Sequence, residues 1–292
     1  KNCKTIYFNY LPILANRLNA IHNVNFSEKF WETAFGFWLF RHICIVYEKF
    51  EYLSKIDIDN CSAKLLSRKD FYVPEEQYDY LHCFCNDFGV QQLFSQYYYL
   101  FSKKSHPVLR QKFTLSEDKN IPVIDKTNFA QKVKGFFLKN IFQIIRFFRA
   151  PKLVLVEILY PRNLLLKLFF KSKFYIQTLE LPKVDVSKLA IDYNRRLKLS
   201  NVECTNDFNR YLNATLFHCF PKIFLEYFNK YNSKYSEDIL KLNFKYIASS
   251  AWIGMSKVSL YYALAKNYNK VLLNQEHATG TQIICHTTTW LN

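Results

Sequence analysis

The sequence predicts an α/β protein in which a helical N-terminal region (residues 1–105) leads through a linker (106–131) into a lobe with a parallel sheet (132–292). Three observations predict it. Apolar residues recur at helical spacing through the first hundred positions, the pattern then changes to short aliphatic runs, and those runs are separated by helix-length segments. At 50% hydrophobic and 22% charged over 292 residues, the chain holds enough apolar material for one large or two medium cores. Disordered, collagen-like and disulfide-scaffold classes are excluded.

The elements follow in order. Ile6, Leu11, Leu14, Leu18 and Ile21 mark a helix over Thr5–Ile21, and a longer one runs from Ser27 to Leu53. Ser27 is its N-cap, with Glu28 in the first turn where the helix dipole favours negative charge. Pro74 suits the first position of a helix over Glu75–Cys85, and Val90–Phe101 is a further helix. Residues 103–128 are rich in Lys, Ser, Pro and Asp without a period, and read as a loop. Lys132–Arg149 is a basic amphipathic helix with Phe136, Phe137, Ile141, Ile144, Ile145 and Phe148 on its apolar side. Such a helix either lies in an anionic membrane interface or packs on a sheet, and both readings stay open.

Leu153–Leu159 then reads as a buried strand, Arg162–Phe170 as a helix and Phe174–Leu179 as a second strand, which implies a parallel pair with a right-handed crossover. Helices are expected over Asp207–Phe220 and Lys222–Tyr231. The strand–helix–strand unit returns as Phe244–Ala248, Met255–Tyr268 and Lys270–Asn274, and closes in a polar loop.

Lys and Arg together number 40 against 24 Asp and Glu, giving a net charge of +16. Nucleic acid is disfavoured as a partner nonetheless, because 30 of the 40 are Lys and base or phosphate recognition favours the planar fork of Arg. The Lys, Asn, Ile, Phe and Tyr enrichment also follows A/T-rich codons. The eight cysteines lie scattered in apolar runs, which suits a reducing compartment. Cys83 and Cys85 beside His82 have a one-residue gap that is not a zinc spacing, so core packing is expected of them. No apolar run is long enough to cross a bilayer, and the ends, Lys1 without Met and Asn292 after a polar loop, read as those of a fragment. Walker A, G-x-G-x-x-G, G-x-S-x-G and H-E-x-x-H motifs are all missing. The acidic residues Asp57, Asp59, Glu75 and Glu76 stand in loop or helix-start contexts, where solvated charge is the default.

Ligands of an open parallel sheet bind beyond the carboxyl ends of its strands. Two loops occupy such places. The first, Ser249 to Gly254, offers hydroxyls from Ser249 and Ser250 for a phosphate or sugar, the plainer alternative being that Ser250 caps the next helix. The second gathers Gln275, Glu276, His277, Thr279, Gly280 and Thr281, groups able to bind hydroxyls and move protons. Gly36, between Trp31 and Trp38, is costly in a helix and points to a close approach of backbone or ligand, or to core packing.

Within residues 14–31, Asn25-Phe26-Ser27-Glu28-Lys29-Phe30-Trp31, followed by Gly36-Phe37-Trp38-Leu39, resembles the N-Y-S-x-R-Y-W and G-P-W-L signatures of a bacterial transferase family of O-antigen and other surface-polysaccharide loci. Phe220-Pro221-Lys222-Ile223-Phe224-Leu225-Glu226 is similar to that family's L-P-x-x-Y-L-E segment. Tyr246 to Ala251 and Gln275 to Gly280 resemble its I-F-T-S-N-S turn and Q-H-G-G loop. Two departures stand out: Phe37 replaces the family's Pro, and Glu276-His277-Ala278-Thr279 lacks the two glycines that let a backbone approach a ligand.

The resemblance implies a Rossmann-like lobe, one of two in a GT-B-like glycosyltransferase, that takes a nucleotide sugar and a lipid-linked or glycan acceptor. His277 and Glu276 would then be catalytic, and Ser249, Ser250, Gln275, Thr279, Gly280 and Thr281 would bind substrate. No cofactor or metal is expected, the leaving diphosphate being held by helix N-termini and basic residues. Peripheral contact with anionic lipid at the cytoplasmic face of the membrane would bring the enzyme to its acceptor. The contrasting expectation is a non-catalytic membrane-surface or interaction protein, or an inactive divergent fragment.

Overall fold

The computed structural model describes residues 2–61, 63–84, 86–113, 150–158, 161–187, 189–250 and 255–274. The amphipathic segment 132–149, the turn 251–254 and the loop 275–281 lie outside the described residues. Helix α1 (Asn2–His22) leads to α2 (Glu28–Trp31), a π-helical turn (Glu32–Gly36) and α3 (Phe37–Leu53), which run on without a break. Ser27 caps this stretch as its sequence implies, its hydroxyl oxygen accepting from the Phe30 N–H at 3.2 Å. A π turn inserts one extra residue into a helix and is retained where packing requires it. Here α10 (Ser256–Asn267) lies against it, and the Ser259 hydroxyl is 2.7 Å from the Ala34 carbonyl oxygen. A Cβ at Gly36 would come within 2.6 Å of the Tyr7 hydroxyl, so its close approach is to α1 in the core.

Helices α4 (Gln77–Phe84) and α5 (Asp87–Phe101) follow a two-residue strand, β1 (Leu65–Leu66), which pairs in parallel with β2 (Val108–Leu109). This small sheet lies inside regions read from sequence as helix and linker, and two residues are too few to show an alternation. Pro74 does not open α4. Its carbonyl accepts from Lys222 N–H and that of Glu75 from Ile223 N–H, so the chain is tied to the turn at Lys222 there and the helix starts at Gln77.

The main sheet contains β3 (Leu153–Val156), β4 (Ile176–Leu179), β5 (Tyr246–Ser249) and β6 (Val271–Asn274), all parallel, in the spatial order β4-β3-β5-β6. These are the four strands the aliphatic runs predict, with ends within two residues except that β3 stops at Val156, three residues before the end of its run. Helix α6 (Arg162–Lys171) connects β3 to β4 and α10 connects β5 to β6. The two crossovers run in opposite directions from the centre, so the right-handed rule puts their helices on opposite faces. Val154, Gln177 and Ile247 share one register row, and Val156, Leu179 and Ser249 the next, and all six are buried.

Between the two units lie α7 (Tyr193–Ser200), α8 (Asp207–Cys219) and α9 (Phe228–Leu242). The expected helix over Lys222–Tyr231 is instead a short 3-10 turn (Lys222–Phe224) and then α9, whose Tyr231, Tyr235 and Ile239 carry the helical period onward into the core. Helices α7 and α8 pack on α1, α3 and α5, so the helical region and the sheet share one hydrophobic core. Arg17 joins them by donating to the carbonyls of Lys198 (2.8 Å), Leu199 (3.1 Å) and Asn201 (2.6 Å), which satisfies the C-terminus of α7. The core is also fixed by a buried ion pair. Arg196 Nε and Nη2 bind Glu226 Oε1 and Oε2 at 2.7 and 2.8 Å, while Nη1 donates to the Phe217 and Phe220 carbonyls.

Candidate functional site

In the order β4-β3-β5-β6, the chain leaves β3 toward one edge and leaves β5 toward the other. The carboxyl ends of β3 and β5 therefore form the switch point where an open α/β sheet makes its ligand crevice. Val156 pairs with Ser249 at this end, and Ser249 pairs with Asn274. Ser249 and Asn274, the last residues of β5 and β6, thus end at the same edge of the sheet. The N-termini of α6 and α10, which follow β3 and β5, open toward this side.

Ser250 is half-buried and its hydroxyl donates to the Glu157 carbonyl across the β3–β5 gap at 3.1 Å. It does not cap α10, which begins at Ser256. Glu157 is exposed and adopts φ 48°, a left-handed conformation that costs a non-glycine residue free energy and marks places where local geometry is held by its surroundings. Ser249 is fully buried on the same face as Val156 and Leu179, with its hydroxyl against that of Tyr262. Its side chain belongs to the core, whereas that of Ser250 lies at the carboxyl end of the sheet. Gln275, Glu276, His277, Thr279, Gly280 and Thr281 lie outside the described residues.

The described residues of the N-terminal and 220–226 segments that carry the family resemblance contribute to the hydrophobic core. Asn19 Oδ1 accepts from Trp31 Nε1 at 2.9 Å and from Phe26 N–H at 3.1 Å, closing the loop between α1 and α2. His22 Nε2 lies 3.1 Å from the Phe224 carbonyl, and burial pushes its pKa down to about 4. His42 is enclosed between the Tyr80 and Thr215 hydroxyls at 2.9 and 3.1 Å and stacked on Trp38, and burial lowers its pKa to about 3. Both are therefore neutral core histidines. Cys83 is buried, with its thiol pushed up to about 12 by desolvation, as core packing requires.

Asp57-Ile58-Asp59 has a D-x-D spacing that the sequence reading passes over as solvated charge. Its carboxylates serve local structure. Asp59 Oδ1 accepts from the Ser102 hydroxyl and the Lys103 N–H, which holds its pKa below the usual range, and Asp57 accepts from Asn60. Among the described residues no group of His, Cys, Asp and Glu is arranged to hold a metal ion, and no helix is long and apolar enough to cross a membrane.

Strand order and register together define an α/β protein with a four-stranded parallel sheet whose topological switch point lies between β3 and β5. The family model of the LIC12162 family transferases matches residues 1–280, and the chain belongs to that family of transferases. No curated protein and no solved structure matches it.

Proposed function

We propose that the chain is a glycosyltransferase that uses a nucleotide-activated sugar to extend a bacterial surface polysaccharide of the O-antigen kind, with the donor diphosphate at the β3–β5 crevice. The observation that carries this reading is the hydrogen bond from the Ser250 hydroxyl to the Glu157 carbonyl at the switch point, with β6 ending beside β5 at the same edge. Helix N-termini favour an anion there, and Ser250 can redirect its hydroxyl from the Glu157 carbonyl to a phosphate oxygen.

In this reading an acceptor hydroxyl attacks the anomeric carbon of the donor. A new glycosidic C–O bond forms, the bond to the diphosphate breaks, and the nucleoside diphosphate leaves with the electron pair. His277 takes the hydroxyl proton, Glu276 orients the imidazole, and Gln275, Thr279, Gly280 and Thr281 hold donor hydroxyls and phosphate. The lipid-linked acceptor would be reached by peripheral contact of residues 132–149 with anionic lipid at the cytoplasmic face of the membrane.

The test is release of nucleoside diphosphate from a panel of nucleotide sugars. His277→Ala should reduce turnover by about 10²–10⁴-fold, the usual contribution of a general base. Unchanged turnover in that variant removes His277 from the reaction.

A further inference from the structure

Two thiols face each other where the start of α1 lies along α3. The helices pack together, and two contacts set their register. The Tyr7 ring stands against that of Phe40 with centroids 5.9 Å apart, and Asn2 Nδ2 donates to the Tyr47 hydroxyl at 3.0 Å. Moving back along α1 therefore moves forward along α3, so the two helices are antiparallel here. Cys3 lies one helical turn before Tyr7, and Cys44 one turn after Phe40. Residues four apart share a helix face, which places Cys3 and Cys44 opposite one another, between the two contacts. The thiols interact: burial first, and then the neighbouring Cys3, push Cys44 up to about 12.

This pair differs from the other described cysteines. Cys83 and Cys219 are buried, and Cys61 and Cys204 are exposed. Cys3 and Cys44 are both half-buried, and Cys44 also borders an open pocket of about 440 Å³ lined by Phe40, Arg41 and Glu48, through which a small oxidant can reach it. A disulfide needs two side chains that point at one another across a short gap, and facing positions on packed helices provide it. We propose that Cys3 and Cys44 form a dithiol that a hydroperoxide converts to a disulfide and a thiol reductant restores, a reversible covalent staple between α1 and α3. One thiolate attacks the peroxide, the O–O bond breaks, and an alcohol or water leaves with the electron pair. The second sulfur then displaces the oxygen of the resulting sulfenic acid, which leaves as water with the second thiol proton. Two thiols are oxidised and one peroxide bond is reduced. The new S–S bond closes a loop that runs through α2 and the π-helical turn, and so constrains the unfolded chain.

The intact chain, reduced with dithiothreitol and freed of it, is treated with hydrogen peroxide; the remaining thiols are alkylated and the digest is mapped by mass spectrometry. Peptides carrying Cys3 and Cys44 should be joined within one chain with the loss of two hydrogens, Cys83 and Cys219 should stay reduced, and dithiothreitol should reverse the link. The oxidised chain should melt about 4–12 °C above the reduced one. Cys3→Ser, at the start of α1, should abolish both the link and the rise in melting temperature, and Cys44→Ser should do the same. The proposal is overturned if Cys3 and Cys44 are still alkylated after a tenfold excess of peroxide, or if either is linked to another cysteine or to a second chain. Oxidation of either to sulfinic acid without a link overturns it too, as does an oxidised chain that melts at or below the temperature of the reduced one.

Discussion

Removing the carboxylate of Glu226 should destabilise the protein more than almost any other single change. The Arg196 guanidinium is fully enclosed, and it makes two bonds to Glu226 and two to the carbonyls at the end of α8. Glu226 Oε1 also accepts from the Asp192 N–H at 3.3 Å, at the cap of α7. Glu226→Ala leaves a cation buried without its counter-charge and takes an acceptor from that cap. Breaking a buried pair in this way costs about 3–5 kcal/mol. At about 2–4 °C per kcal/mol for a chain near this size, the melting temperature should fall by about 6–20 °C. The double variant Arg196→Met/Glu226→Leu removes both charges and should recover most of the loss, because an apolar pair pays no desolvation penalty. Thermal and urea unfolding of the three proteins decides it. A loss below about 1 kcal/mol in Glu226→Ala, or a double variant worse than the single, would refute the view that this pair is enclosed and mutually compensating.

Gly89→Ala should be strongly destabilising, since the new Cβ would meet the Cys83 carbonyl oxygen and lie 2.5 Å from Phe84 Cα, backbone atoms that cannot yield without parting α4 from α5. Overpacking of this kind costs about 1–3 kcal/mol, and urea unfolding measures it. Gly36→Ala should cost less, because it meets the end of the Tyr7 side chain and gains about 1 kcal/mol of helix propensity. His42 has its folded pKa lowered to about 3 from 6.5, so the unfolded chain binds the proton first. Its contribution is complete above pH 6.5 and is lost as pH falls toward 3, by about 1.4 kcal/mol per unit. Urea unfolding of wild type and His42→Gln at pH 7, 6, 5 and 4 should show a slope smaller by one proton in the variant. Ser250→Ala removes one hydroxyl bond to Glu157, worth about 0.5–1.5 kcal/mol at most, and should weaken nucleotide-sugar binding while leaving the unfolding midpoint nearly unchanged.

The sheet was legible because its strands are short aliphatic runs set apart by helix-length segments. Leu153–Val156 and Ile176–Leu179 fall inside the runs that marked them, while Tyr246–Ser249 ends one residue beyond its run and Val271–Asn274 starts one residue into its own. The helices that end at caps were equally plain, as at Ser27. Helix α7 was not, because Tyr193–Ser200 is a short polar stretch whose buried residues are Arg196, Leu199 and Ser200, and no apolar period reveals a buried arginine. The Pro74 start failed for a similar reason, since the backbone there is bonded to Lys222 and Ile223, about 150 residues away in sequence. Of the candidate site, the shared edge of Ser249 and Asn274 follows from parallel pairing alone. That Ser249 turns inward follows from strand alternation once the register is known, and the sequence does not state the register. The Cys3–Cys44 pair comes from two helices, and only the packing of α1 on α3 assembles it.

The donor crevice is tested most directly by titrating nucleotide sugars into the intact chain and into Ser250→Tyr, whose ring would fill the gap between the ends of β3 and β5. Saturable binding of at least one nucleotide sugar to the wild type, reduced tenfold or more in Ser250→Tyr at an unchanged melting temperature, is the predicted result. Equal affinity in the two proteins, or no binding of any nucleotide sugar to the wild type, would contradict the account.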